Sequence, residues 1–302
     1  MVENSRKVSF RKALVVGTIR DGQSGIVRDV KNIIEAISPL LNVEFFIVES
    51  DSSDSTVSIL ENLTNESTSV HFVSLGDLSP EIPDRIERLK YCRNRYVEEV
   101  RSNPLFQECD LIIVADLDGI NSSITVEGVR KALESNFDWD VLCANQKGKY
   151  YDLLALRHPF WAPNDYLEEI EWLKTFMGRK RSLRHSKFDR MFRIPIESDP
   201  IEVTSAFGGF AIYKRWIFES CDYTTDGLAV GDEIDHVTLS RKAKALGARI
   251  WIQPKLINSH WTNHSLNSFQ FLLSVKNFIH ATPLRIFLPV LRKITLLITS
   301  KP

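Results

Sequence analysis

Apolar and polar positions alternate along this chain with two different periods, and the two periods take turns. Ala13 to Gly17, Val43 to Val48, Val70 to Leu75 and Ile112 to Ala115 are short apolar runs of strand length, each ending in polar or turn-forming residues. Between them the apolar positions fall three and four apart. Ile26, Val30, Ile33, Ile34 and Ile37 predict a helix over 25–40 that stops at Pro39, a second helix follows from Val57, and a charged helix runs from about Asp84 to Arg101. Further on, Val126 to Glu134 reads as a helix, Val141 to Ala144 as a strand, Phe210 to Tyr213 as a strand, Ile234 to Leu246 as a helix and Arg249 to Ile252 as a late strand. Strands interleaved with helices predict an α/β fold with a mostly parallel sheet flanked by helices. The interval 150–200, rich in aromatic and basic residues, reads as a helix and loops.

Two places in this pattern invite chemistry, because open α/β sheets bind ligands beyond the carboxyl ends of their strands. The run Ile112-Ile113-Val114-Ala115 ends in Asp116-Leu117-Asp118-Gly119, and the second strand ends in Glu49-Ser50-Asp51-Ser52-Ser53-Asp54-Ser55-Thr56. Period two puts Asp116 and Asp118 on one side. Two carboxylates held so close repel one another unless a cation sits between them, and hard divalent cations prefer oxygen ligands. Turn chemistry, with Asp and Gly ending a strand, also accounts for the same residues.

Composition narrows the classes. The chain has 302 residues, a net charge of −1 and ordinary globular hydrophobic content, so nothing draws it as a whole to nucleic acid or to an anionic membrane. Cys92, Cys109, Cys143 and Cys221 lie far apart without zinc spacing, which suits a reducing, cytoplasmic compartment. The N-terminal MVENSRKVSFRKALVVG leads into the first strand rather than forming a signal sequence. Sequons at Asn62, Asn65, Asn121 and Asn263 are discounted, since a glycan on Asn121 would crowd the Asp116–Asp118 turn.

In the order found here, these segments resemble the GT-A glycosyltransferases, particularly family 2. FFIVESDSSDST parallels that family's second-strand motif, of the form IIVVDDGSTDGT, and KYCRNRYVEEV followed by DLIIVADLDG parallels its ARNxG helix and DxD strand. The second half, VLCANQKGKYYDLLALRHPFW followed by VTSAFGGFAIYKRWIF, looks more like the fungal α-mannosyltransferases of the capsule and mannan type. The resemblance implies a GT-A, Rossmann-like domain over 10–265. Its nucleotide-binding half would span about 10–148, its acceptor half 149–265, and 266–302 would form an amphipathic helical tail.

The same resemblance implies a metal-dependent transfer of a hexose, with mannose a candidate, from a UDP- or GDP-linked donor to a glycan or lipid-linked acceptor in polysaccharide or glycoconjugate biosynthesis. It assigns donor contacts to Thr18, Arg20, Glu49, Asp51, Arg93, Asn94, Asp116, Gly208 and Gly209. Glu49 would accept from the base, with Asp51 and Asp54 as capping alternatives; Arg93 would pair with phosphate, and Asn94 would anchor the DxD loop. Asp116, Asp118 and His260 would hold Mn²⁺ or Mg²⁺, imidazole suiting manganese better. Tyr151, Asp152, Arg157 and Trp161 would form the sugar and acceptor wall, unless the aromatics are core. Glu233, then Asp232 and Asp235, are the candidates for catalytic acids, as base in an inverting transfer or as orienting groups in a retaining one. The tail, with interspersed cations and interrupted by Pro283 and Pro289, fits peripheral contact with the cytoplasmic face of a membrane, a packed helix or a partner-binding segment equally. A nucleotidyltransferase and a silent GT-A-like binding module are the alternative readings. Thr18-Ile19-Arg20-Asp21-Gly22-Gln23-Ser24-Gly25 only loosely approximates the Gly-rich loop that the former would need.

Overall fold

The computed structural model describes residues 10–225 and 234–260. Their backbone forms strands β1 (Lys12–Ile19), β2 (Asn42–Glu49), β3 (Val70–Ser74), β4 (Leu111–Ala115), β5 (Val141–Gln146), β6 (Ile201–Val203), β7 (Phe210–Lys214) and β8 (Ile250–Ser259). The helices are α1 (Ile26–Ile37), α2 (Thr56–Glu66), α3 (Arg85–Ser102), α4 (Val126–Leu133), α5 (Tyr166–Met177), α6 (Arg179–Ser186), α7 (Trp216–Ser220) and α8 (Asp235–Ala245). All strands join one eight-stranded sheet in the order β3-β2-β1-β4-β7-β5-β8-β6. β1 pairs in parallel with β2 and β4, β2 with β3, and β5 with β8. β7 runs antiparallel to β4 and β5, and β6 antiparallel to β8, so six strands point the same way. The α/β, mostly parallel sheet flanked by helices is as the hydrophobic pattern predicts.

Helices cover both faces because the strands are apolar on both. Ala13, Val15, Leu111, Ile113 and Ala115 pack with Ile26, Val30 and Ile33 of α1, Leu60 of α2 and Val129 of α4. Their sequence neighbours Leu14, Val16, Ile112 and Val114 pack on the other side with Cys92, Tyr96 and Val97 of α3, Phe218 of α7 and Leu239 of α8. Each such fully buried aliphatic side chain contributes roughly 1.5–3 kcal/mol.

Helix ends follow local chemistry. Asp84 caps α3 by accepting from the Ile86 and Glu87 amides at 2.8 and 3.0 Å. α1 ends at Ile37, two residues before Pro39. The late strand runs well beyond the predicted Ile252. Its ladder with β5 is interrupted between Cys143–Ile252 and Asn145–Ile257, where Pro254 supplies no donor; the Asn145 amide instead donates to the Pro254 carbonyl at 3.1 Å. Interval 150–200 holds two helices, and β6 and α7 were not predicted.

The strands on the two sides of β1 are reached in opposite directions. The chain steps outward to β2 and β3, then returns through α3 to β4 on the far side of β1. The switch point between β1 and β4 is where such sheets open a crevice. The predicted tail at 266–302 lies outside the described residues.

Gly208 and Gly209 precede β7 at φ 75° and 83°. A Cβ on Gly208 would lie 2.7 Å from the Ala144 carbonyl oxygen. Gly208→Ala is expected to lower stability by roughly 1–3 kcal/mol, read from the denaturant midpoint.

Candidate active site

Three strand-end loops meet at the switch point, and they are joined to one another. β1 and β4 run so close that a Cβ on Gly17 would lie 2.6 Å from the Ala115 carbonyl oxygen, and one on Gly25 would lie 2.7 Å from the Asp118 backbone. Several hydrogen bonds tie the loop after β1 to the loop after β2. Asp21 N–H donates to Ser52 Oγ (3.0 Å), Ser53 N–H to Asp21 Oδ1 (2.8 Å), Gly22 N–H to Thr56 Oγ1 (2.8 Å) and Gln23 N–H to Asp54 Oδ2 (3.2 Å). Thr18, half-buried, and Arg20, exposed, stand at the carboxyl end of β1. Arg20 Nε lies 3.4 Å from Asp21 Oδ2.

The Asp116–Gly119 turn is fixed from several sides. Asp116 N–H donates to the Gly209 carbonyl (3.0 Å), and the buried Asn121 amide donates to the Asp116 carbonyl (2.6 Å) and to Gly209 (3.3 Å). Asn258 of β8 donates to Asn121 Oδ1 at 3.1 Å. From below, Asp29 of α1 accepts the Gly119 N–H at 2.7 Å, while Arg28 reaches the Gly119 carbonyl at 3.4 Å. The result leaves the Asp118 side chain exposed and Asp116 half-buried.

Charge accumulates here. Burial pushes the Asp116 carboxyl up to about 7; Asp118, Asp152 and Asp235 add to the rise, and Arg93 opposes it. Asp152 is also raised, by burial first and by Asp235, against the amides of Gly208 and Ala155 that bond it. Asp29 rises to about 6, mainly through burial, with Asp118 adding to it and the Gly119 and Asn121 amides opposing. One oxygen of Asp29, Oδ1, is buried without a hydrogen-bond partner.

Arg93 belongs to this cluster, but its guanidinium is engaged. Nε lies 2.7 Å from Asp235 Oδ2 and Nη1 lies 2.7 Å from His236 Nε2, with the rings of Phe207 and Tyr223 at 5.8 and 5.6 Å. Despite burial, which would raise it, Asp235 is held below its ordinary value by Arg93 and then by His236. Burial, then Arg93, drives the His236 imidazole down to about 3, so it is neutral.

A divalent cation suits this donor set: hard carboxylate oxygens, one of them exposed, in a place with more negative than positive charge. Asp116 and Asp118 are the residues that would hold it. Among the described residues no three His, Cys, Asp or Glu side chains form a ready-made metal cluster. His260 stands exposed just past β8, at the same edge of the sheet.

The remaining predicted residues have visible partners. Glu49 is buried, with Oε1 accepting from Ser52 N–H (3.0 Å) and Oε2 from the Ser74 hydroxyl. Asp51, at φ 58°, pins the loop after β3 through the Leu78 and Ser79 amides at 3.1 and 2.8 Å. Against burial, the Ser79 and Ser50 hydroxyls keep its carboxyl down at about 2. Asn94 accepts from Tyr223 N–H at 2.9 Å, so it anchors the residues around 223, whereas Asn121 and Asp29 anchor the Asp116–Gly119 turn. Tyr151 and Asp152 come to the acid cluster. The Tyr151 hydroxyl would sit 2.8 Å from a Cβ on Gly209, and Asp152 Oδ2 accepts from Gly208 N–H at 2.8 Å. Arg157 and Trp161 are occupied elsewhere. Arg157 bonds the Leu154 and Leu156 carbonyls and lies 3.4 Å from Asp165, while Trp161 donates to the Arg190 carbonyl at 2.8 Å and packs on Phe192 and Tyr150. Asp232 and Glu233 lie outside the described residues.

The predicted set lacks Asp29, Asn121 as an anchor and Asn258. Asp29 has a readable signal, an acid on the apolar face of α1 one turn from Ile26 and Ile33. Asn121 has both ends of its amide engaged and is buried, which bears out discounting its sequon.

No protein-family model matches the sequence, and no curated protein matches it. Solved structures are similar to it at low identity. One is S. aureus TarS 1–349, at 13% identity over 80% of this chain and 57% of that one, with a TM-score of 0.41. Another is glucosyl-3-phosphoglycerate synthase from Mycobacterium tuberculosis in complex with phosphoglyceric acid, at 14% over 83% and 69%, TM-score 0.40. A third is the mannosyltransferase PcManGT from Pyrobaculum calidifontis in complex with GDP-Man and Mn²⁺, at 14% over 95% and 70%, TM-score 0.47. This chain thus spans little more than half of the first. None of the three is fungal.

Because the folded carboxyl of Asp116 titrates near 7 and its ordinary value is 3.8, the stability it contributes is fully present below about pH 3.8 and is lost as pH rises through 7. Asp116→Asn is therefore expected to stabilise the metal-free protein at pH 8, on the order of 2 kcal/mol once solvent screening is allowed for. The gain should vanish towards pH 4, and Mn²⁺ should raise the melting temperature of the wild type but not of the variant; melting curves across pH with chelator or metal check both.

Proposed function

We propose that this chain is a metal-assisted glycosyltransferase, moving a hexose from a nucleoside diphosphate sugar to a glycan or lipid-linked acceptor. The observation that carries the reading is the acid pair Asp116 and Asp118, neither of which has an ion-pair partner among the described residues, at the switch point between β1 and β4, a crevice where phosphate-bearing ligands bind in such sheets. The order of the second-strand, ARNxG-like and DxD-like segments supports it.

When bound, Mn²⁺ or Mg²⁺ supplies charge that stabilises the departing diphosphate. Asp118 presents its oxygens outward, on a turn that Asp29 and Asn121 hold in place. Asp116 stands behind it, and its proton leaves readily at neutral pH. His260 is the proposed third ligand. Arg20, whose guanidinium is exposed, is the proposed phosphate contact, with Thr18 beside it; Glu49 and Asp51 shape the floor of the base site by fixing the loops after β2 and β3. Gly208 and Gly209 bring backbone against Gln146 and Tyr151, and their proposed role in donor binding is to keep that approach open. Tyr151 and Asp152 line the sugar side, while Arg157 and Trp161 back them structurally.

Arg93 acts through Asp235, holding it ionised. A base should have a pKa near the working pH, so Asp235, held low, with one oxygen accepting the His236 N–H and the other ion-paired with Arg93, serves to orient the acceptor rather than take its proton. Glu233 and then Asp232 remain the candidates for the proton acceptor in an inverting transfer. The four cysteines are unbridged, which suits a cytoplasmic setting, and no described helix is long and apolar enough to cross a membrane.

The test is a panel of UDP- and GDP-sugars with and without Mn²⁺. The right donor at saturation is expected to raise the melting temperature by roughly 5 °C and to be hydrolysed slowly, and Asp118→Ala should abolish both effects. A panel without any shift at saturating metal would overturn the donor assignment, and pyrophosphate released from a nucleoside triphosphate would replace it with nucleotidyl transfer.

A further inference from the structure

The hairpin of α5 and α6 carries a feature that the acid site does not use. α5 buries Tyr166, Ile170 and Leu173 against the domain, yet presents Trp172 and Phe176 outward, one turn apart, with ring centroids 5.0 Å from each other. They are 66% and 71% exposed, which sets them apart from scattered surface aromatics because they form one continuous apolar face. Gly178, at φ 75°, then turns the chain into α6. That helix buries Ser182 and Ser186 and exposes Arg179, Lys180, Arg181, Arg184 and His185.

Residues 174–193 contain eight lysines and arginines against the single acid Asp189, a net +7 in a chain whose total is −1. Lys174, Arg184 and Arg190 have carboxylate partners in Glu171, Asp189 and Glu169. Arg179, Lys180 and Arg181 make no ion pair among the described residues.

Exposed Trp and Phe beside cations that have no ion pair among the described residues is the chemistry of an interfacial membrane contact. Aromatic rings sit at headgroup depth, and cations above them meet anionic lipid phosphates. A long polyanion such as RNA is a poorer fit, because the rest of the chain is net −8 and would repel any strand extending beyond the hairpin, whereas a flat surface need touch the hairpin alone. We propose that α5 and α6 dock on an anionic lipid surface, with Trp172 and Phe176 entering the interface and Arg179, Lys180 and Arg181 engaging the headgroups. The proposal does not depend on the transferase reading.

The full chain is tested by sedimentation with vesicles of phosphatidylcholine containing about one-third phosphatidylglycerol, and with phosphatidylcholine alone. Binding to the anionic vesicles only is expected, weakened at about 0.5 M salt, where screening shortens the reach of the cations. Trp172→Ser/Phe176→Ser and Arg179→Gln/Lys180→Gln/Arg181→Gln should each weaken binding by roughly tenfold or more, while sugar-nucleotide hydrolysis without vesicles stays unchanged. The proposal is overturned if the wild type ignores anionic vesicles, if either variant binds as tightly as the wild type, or if the wild type prefers a single-stranded oligonucleotide to the vesicles. None of these outcomes bears on the donor assignment, which the sugar-nucleotide panel reads separately.

Discussion

Repulsion among carboxylates at the carboxyl end of β4 is the constraint around which this molecule is organised. Asp116, Asp118, Asp152 and Asp235 act on one another electrostatically, and Arg93 answers them from α3. Because Arg93 is paired directly with Asp235, one acid is fully compensated and the others are less so. The pair breaks the symmetry of the cluster. Arg93 holds Asp235 below its ordinary value, whereas Asp116 shares its proton with solvent near neutrality.

The supports of this cluster are chosen accordingly. Asn121, Asn258 and Gln146 form a chain of side-chain amides that holds the Asp116 turn to β8 and to the Gly208 carbonyl, and none of them carries charge. A network of neutral amides satisfies buried backbone groups without adding to the field already present. The exception is Asp29, whose carboxyl grips Gly119 from α1 and is itself driven upward by burial and by Asp118.

Much of this architecture was legible in the chain. The first four strands and the helices between them follow two clear periods, and the acid turn at Asp116 stands out because an apolar run stops there abruptly. What escaped has physical reasons. The ladder of β8 breaks around Pro254, so its second half has no strand-like pattern; β6 has three residues and α7 five, too short for any period to show. The pairing of Arg93 with Asp235 and His236 joins residues more than 140 positions apart, and no local spacing announces it. Arg157 and Trp161 show the reverse error. Their residue types suit a carbohydrate wall, but their hydrogen-bonding groups are taken by Asp165 and by backbone carbonyls.

The close approach of Gly25 to the Asp118 backbone has a thermodynamic meaning. With no room for a side chain between them, and with Asp29 and Arg28 clasping Gly119, the start of α1 and the acid turn form a single body. The conformational entropy of that turn is surrendered when the domain folds, not when a ligand arrives. Whatever the crevice receives therefore meets a preorganised rim, and its affinity is spared the ordering term that a slack loop would subtract.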